Sequence, residues 1–365
     1  MAINTTTQIS APVNVLFQMN LLRVAQAECP YFLGSVAAEI TEHRGTYTAK
    51  WRRYENLTPT TTALTELTGS LAFPTRTGNT VSITDLTATV AKYGDFIILN
   101  EEVDLLNFNN QADALAKMLG IQAGRSLNRL QRNLMEDSFT AFLAGTATTA
   151  SGIYAAATAS SGIMKSSEIQ HLNNTLSRND AMKWKPRTTG STNIGTTPIR
   201  DAFWGICHVD AEEDLRVLTG FVAAETYASQ TAVRPNEFGA VRGVRFLSTT
   251  ESSIDTGSGA SATASATGYG RATSGRYDIY NTPIFGQDAH GSVGLGFEHV
   301  KEQYQAGDKL PGIQVINHAR GSAGSADPLN EVSTMGWKSW HAGVVLNSTW
   351  ARTFRHGVTL LESNE

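Results

Sequence analysis

Charge is what this sequence has least of. Asp, Glu, Lys and Arg make up 17% of the chain, against about 25% in an average soluble domain. Thr, Ser, Ala, Gly and Asn fill the gap. Such a surface repels neighbouring copies weakly and suits large shared interfaces. It is also common in secreted β-rich proteins. Basic runs are missing as well. The net charge is −4, and no Lys/Arg-rich stretch offers nucleic acid a counterion-releasing track. Any contact with DNA is expected to be weak and non-specific.

Cysteine is nearly absent. Cys29 and Cys207 stand far apart and give neither a disulfide framework nor a zinc spacing. The expectation is two inert thiols in a reducing compartment. No run approaches the ~18 apolar residues of a membrane span, so no membrane partner is expected. The opening MAINTTTQISAPVN lacks the basic and apolar regions of a secretory signal. The eight histidines include no HxH, HxxxH or HExxH pair, and no G-x-S-x-G elbow is present. No metal, cofactor or catalytic residue is expected, and the chain does not read as an enzyme.

Three clusters invite chemistry and have plainer explanations. His208, Asp210, Glu212, Glu213 and Asp214 could hold a metal or a general base. They read better as the acid head of a helix over Ala211–Ala224, with Asp210 in capping-box spacing to Glu213. Gly268 to Arg276 is glycine-rich but lacks the Gly-Lys-Ser/Thr ending of a phosphate loop. Glu101, Glu102 and Asp104 read as an exposed strand end rather than a glycosidase pair.

What is present is a long helical pattern. Between Gln111 and Leu143 there is no proline. Leu115, Met118, Leu119, Ala123, Leu127, Leu130, Leu134, Phe139 and Phe142 recur mostly three or four apart, one apolar stripe on a helix. A helix of that length would brace an extended subunit. Its stripe should pack on a sheet made from Phe96–Asn100 and a C-terminal strand over Trp340–Arg355.

Before the helix, Tyr47, Ala49 and Trp51 alternate with polar residues over Thr46–Tyr54, and a second alternating stretch covers Thr80–Lys92. The two bracket a long Thr-rich loop, giving an exposed hairpin with little core of its own. Lys50, Trp51, Arg52, Arg53 and Tyr54 on its first strand are the candidate inter-subunit contacts, since Arg and Trp are favoured interface anchors. Phe96–Asn100 (FIILN) reads as a buried strand. Met19–Glu42 reads as mixed helix and turn, Ser166–Leu176 as a helix, and Gly243–Thr250 and Val293–Phe297 as strands. Residues 144–167 read as a loop or a loosely packed strand pair, and 186–198 and 251–276 as loops. No internal repeat is found.

This order of elements resembles the major capsid proteins of tailed bacteriophages, in the branch named after the coliphage N-four. Val90-Ala-Lys92-Tyr93-Gly94-Asp95-Phe96 with Glu101-Glu102-Val103 resembles the segment closing the hairpin there. His208 with Asp214-Leu215-Arg216, and Gly243-Val244-Arg245-Phe246, resemble second-lobe signatures. Phe285-Gly286-Gln287-Asp288-Ala289, Ala326-Asp327-Pro328-Leu329 and Gly336-Trp337-Lys338 resemble C-terminal ones. The resemblance implies an α+β capsid fold of the Hong Kong phage type. It would comprise an N-terminal arm (1–45), an extended hairpin loop (46–95) and a peripheral domain with a spine helix (96–165). An axial domain (166–335) and a returning C-terminal strand (336–365) would follow. It implies a structural protein of the virion, assembled in the bacterial cytoplasm into hexamers and pentamers of an icosahedral head around double-stranded DNA. Scaffolding, portal and decoration proteins would be partners. The rival readings are an adhesin-like surface protein and an encapsulin-type compartment.

Overall fold

The computed structural model describes residues 30–41, 46–61, 63, 80–102, 111–153, 162–184, 200–227, 234, 236–262, 270–296, 313–322 and 328–359. The first strands in chain order are β1 (Val36–Thr41), β2 (Thr48–Tyr54), β3 (Ile83–Thr89) and β4 (Ala91–Asn100). Helix α1 (Gln111–Ser138), β5 (Thr140–Leu143), α2 (Ser166–Arg178), β6 (Phe203–His208), α3 (Glu212–Arg216) and β7 (Phe221–Ala223) follow. Next come β8 (Glu237–Val241), β9 (Val244–Thr249), β10 (Ile254–Asp255), β11 (Ala272–Thr273) and β12 (Arg276–Tyr277). The last strands are β13 (Ile279–Phe285), β14 (His290–Gly296), β15 (Ile313–His318), β16 (Val332–Val345) and β17 (Ala351–His356).

Two sheets carry the chain. The first joins β1, β14, β16, β15 and β4. Its axis is β16, which pairs antiparallel with β4 from Val332↔Asn100 to His341↔Ala91. The second joins β5, β17, β13, β6, β9, β8 and β7, with β10 beside β13. The chain passes between the sheets three times, from β4 through α1 to β5, from β13 to β14 and from β16 to β17. The expected single strand over Trp340–Arg355 is therefore two strands in different sheets. A 3-10 turn at Ser348–Trp350 separates them, capped by Asn347, whose side chain accepts from the Thr349 amide at 3.1 Å.

Helix α1 spans both sheets. Its 28 residues extend roughly 40 Å. Ala116, Leu119, Ala123 and Leu127 pack with Phe32 and with Ile313, Met335 and Trp337 of the first sheet. Met135 packs with Trp204, Ile206, Leu247 and Phe285 at the second. The helix stops at Ser138, short of the expected Leu143. The short run after Phe139, Thr140-Ala141-Phe142-Leu143, pairs parallel with β17 instead. Met118 was expected on the apolar stripe and is exposed.

Three further expectations change. The helix expected over Ala211–Ala224 is only Glu212–Arg216. Gly220 turns the chain at φ +90°, and Phe221–Ala223 pairs with β8. Val36–Thr41 is a strand, parallel to β14, not helix and turn; the rest of 1–29 and 42–45 lies outside the described residues. The loop expected over 251–276 includes β10 and β11, and its Glu251 and Ser252 are buried. By contrast, α2 and β9 stand where alternation and spacing placed them. The loop expected at 186–198 lies outside the described residues.

Candidate interaction surface

The hairpin of β2 and β3 is in register from Thr48↔Thr89 to Tyr54↔Ile83. Strand alternation divides its five candidate residues. Trp51 turns inward with Ala49, Leu86 and Ala88, against Val293, Trp340, Ala342, Val344 and Leu346. Arg53 is half-buried beside it and donates from Nη1 to the Leu346 carbonyl at 2.9 Å. Its guanidinium also holds Glu55 at 2.7 Å. The described part of the hairpin thus has a core within its own chain, contrary to the expectation; residues 64–79, most of its loop, lie outside the described residues.

Lys50, Arg52 and Tyr54 turn outward. Arg52 Nε lies 2.9 Å and Lys50 Nζ 2.5 Å from Asp85 on the opposite strand. Those bonds, Arg52 first, hold the Asp85 carboxyl down at about 2. Tyr54 and Tyr47 are exposed. The outward face therefore presents the Tyr54 ring beside a cluster of two cations and one carboxylate.

The hairpin packs on the side of the first sheet away from α1. Odd-numbered residues of β16 face the helix, as Met335 and Trp337 show; even-numbered ones face the hairpin. Beyond the hairpin, none of the described elements packs on the same outer face. Phe96 pairs with Gly336, Ile98 with Thr334 and Asn100 with Val332. Phe96 is 63% exposed and Ile98 59%, so FIILN is buried on one side only. Val332 is exposed beside them. Sequence reasoning missed Phe96 and Ile98, because an unbroken apolar run reads as buried on both faces.

The other candidates disperse. Asp210 does not cap a helix. Its carboxylate accepts from Tyr280 Oη at 2.7 Å and pairs with Arg271. His208 Nδ1 accepts from the Asp210 amide at 3.1 Å. Glu212 pairs with Arg216, and Asp214 accepts from the Thr359 amide at 2.9 Å. These carboxylates point to different partners, and among the described residues no group of three or more His, Cys, Asp or Glu is arranged to hold a metal. The loop before Arg276 is fastened by Arg271 to Asp210 and by Arg276 to the Gly259 carbonyl. Glu101 lies 3.5 Å from Arg320; Asp104 and Cys29 lie outside the described residues. Cys207 is buried, and burial pushes its thiol well above the ordinary range. A polar hollow of about 180 Å³ beside Glu55, Thr58 and Thr80 is smaller than the roughly 300 Å³ at which small-molecule sites begin. No helix among the described residues is long and apolar enough to cross a membrane.

Compared with solved structures, the chain matches the capsid of Ralstonia phage GP4 with a TM-score of 0.58. The two are 9% identical, over 92% of this chain and 93% of the other. This is the fold of a phage capsid chain. The capsid of Cyanophage P-SCSP1u matches at 0.51 with 11% identity, over 88% of this chain and 85% of that one. The head of Helicobacter pylori bacteriophage KHP40 matches at 0.51 with 11% identity, over 91% of each. No protein-family model matches the sequence, and no curated protein matches it. The shared fold is mixed α and β and runs almost the length of the chain.

Proposed function

We propose that this chain is the major capsid protein of a tailed bacteriophage, a structural rather than catalytic protein. Copies would assemble into the hexamers and pentamers of an icosahedral head enclosing double-stranded DNA, built in the bacterial cytoplasm. The observation that carries the reading is capsid fold over about nine-tenths of the chain, shared with the Ralstonia phage GP4 capsid. In this reading the domains are the arm (1–45), the hairpin loop (46–95), the peripheral domain around α1 (96–165), the axial domain (166–335) and the returning segment (336–365). Scaffolding, portal and decoration proteins belong to the same proposal, as does weak, non-specific contact with the DNA. The branch named after coliphage N-four remains the proposed affiliation.

The uncovered half of the first sheet supports an assembling subunit. Phe96, Ile98 and Val332 form a contiguous apolar strip on β4 and β16, next to the half already covered by the chain's own hairpin. Such a strip marks an interaction surface. A neighbouring copy would cover it, and Lys50, Arg52 and Tyr54 would face a neighbour, while Trp51 and Arg53 hold the hairpin to its own subunit. The test is microscopy of the expressed full chain. Closed shells or regular capsomers are expected. A uniformly monomeric protein at the concentrations used for assembly, folded by circular dichroism, would count against the reading.

A further inference from the structure

The chain crosses the junction of the two sheets in a short buried segment. Pro30–Phe32 forms a 3-10 turn, and Tyr31, Phe32, Leu33 and Ser35 are all buried. Each fastens to a different wall. The Tyr31 amide donates to Asn128 Oδ1 of α1 at 3.0 Å. The Phe32 ring stands edge-on to His341 of β16, with centroids 5.5 Å apart. Ser35 Oγ meets Ser292 Oγ of β14 at 3.0 Å. Leu33 packs with Met135, Phe139 and Trp204. Gly34 passes so close to Trp184 that a β-carbon would meet the ring at 2.3 Å. Residues 30–35 thus plug the space between α1 and both sheets.

Two imidazoles line this plug without a charged partner. His290 opens β14 at the crossing between the sheets, edge-on to Phe285 at 5.0 Å and to Phe139 at 6.5 Å. His341 lies under Phe32. Both are buried; the Tyr31 backbone is the one polar group of the described residues that bears on the His290 ring, and none bears on His341. Among the described residues no carboxylate bears on either ring. The charged groups acting on the plug, Glu136 and Arg132 of α1, bear on the Tyr31 hydroxyl, as do Cys207 of β6 and the hydroxyl of Ser252. An imidazolium would be a desolvated cation without a counterion at either position, with only the Tyr31 backbone to support it at His290 and nothing at His341, and a folded interior disfavours both.

We propose that residues 30–35 are an acid-releasable latch, and that protonation of His290 and His341 drives the plug from between α1, β14 and β16. Burial pushes both imidazoles down to about 4, with the Tyr31 backbone offsetting part of the effect at His290. The sign follows from linkage. Each group is depressed when the latch is closed and ordinary when it is open, so the open form takes up protons between about pH 6.5 and 4. The closed latch is favoured above that window and weakens as pH falls through it. At pH 5 each histidine that reaches water on opening raises the opening constant roughly thirtyfold.

The test is amide hydrogen exchange on the full chain, expressed as protection factors, from pH 7.5 to 5. The amides of Leu33 and Ser35, bonded to the carbonyls of Pro30 and Phe32, report the plug; β6 and β9 report the second sheet. Plug protection should fall at least tenfold at pH 5 while β6 and β9 hold. In the double variant His290→Leu, His341→Leu that fall should vanish, and each single variant should remove part of it. The wild-type profile stands alone if the double variant does not fold. Plug protection independent of pH would overturn the latch. So would loss of β6 and β9 protection in parallel with the plug, or an unchanged fall in the folded variants.

Discussion

Gly343 of β16 lies directly beneath Gln131 of α1. A β-carbon there would meet Gln131 Oε1 at 2.8 Å and Leu134 Cδ2 at 2.5 Å. The helix approaches the sheet this closely because one residue has no side chain. Gly343→Ala makes the ends of the Gln131 and Leu134 side chains move aside and is expected to destabilise the chain by about 1 kcal/mol. Urea unfolding monitored by far-UV circular dichroism checks this, and a variant as stable as the parent would show that the two side chains move aside without cost.

The helix seam gives a graded prediction. Leu127 is completely buried against the first sheet, whereas Leu134 is only partly buried. Leu127→Ala is expected to cost about 2–5 kcal/mol. Leu134→Ala should cost distinctly less, since it gives up less buried area. Equal losses in denaturant titration would contradict the packing described.

Glu136 gives a pH signature. Burial pushes its carboxyl up to about 7, with the Ser253 hydroxyl at 2.6 Å and Arg132 opposing. A raised carboxyl contributes stability below its unfolded value, near 4.5, and loses it as pH rises through the folded value. At pH 8 the wild-type chain therefore carries a penalty on the order of 2–3 kcal/mol, which Glu136→Gln removes. The variant should be more stable than the parent at pH 8 and close to it at pH 5. A larger advantage at pH 5 would reverse the sign and refute the assignment.

Glu237 and Arg245 form a buried pair across β8 and β9. Two bonds of 2.6 Å join them, and the guanidinium stacks over Trp204 at 4.3 Å. Removing one partner leaves the other charge buried without its counterion. Glu237→Ala is expected to cost about 3–5 kcal/mol. Replacing both by apolar residues should recover much of that loss. A thermal-unfolding comparison of the single and double variants separates the two outcomes.

The hairpin separates folding from assembly. Arg52→Glu alters an exposed residue and should impair shell formation while leaving the chain folded. Arg53→Glu removes the bond to the Leu346 carbonyl and places a carboxylate beside Glu55, so it should weaken the subunit itself. Phe96→Asp should behave like the Arg52 change. Assembly by light scattering and folding by circular dichroism, measured on the same samples, distinguish the classes. Normal shells from both Arg52→Glu and Phe96→Asp would remove these surfaces from the interface.

Local patterns carried much of the fold. The proline-free apolar periodicity of α1, the alternation of β2 and the spacing of α2 are short-range signals, each set by which residues lie one turn or one pleat apart. Low charge and the lack of metal or nucleophile motifs are likewise properties of the chain as written. What lay beyond its reach depends on partners distant in sequence. Thr140–Leu143 continues the helical spacing, yet it becomes strand because β17 is there to pair with it. Trp340–Arg355 alternates as one strand, yet the turn at Ser348–Trp350 hands its second half to another sheet. FIILN is apolar on both faces, and only the placement of α1 on one side leaves Phe96 and Ile98 in the open. Trp51 and Arg53 look like their outward neighbours until β14 and β16 supply the surface that covers them. The sequence by itself determined which segments would be helix or strand wherever periodicity was local. The tertiary structure alone decided which apolar face was covered, because burial is a property of the second surface as much as of the first.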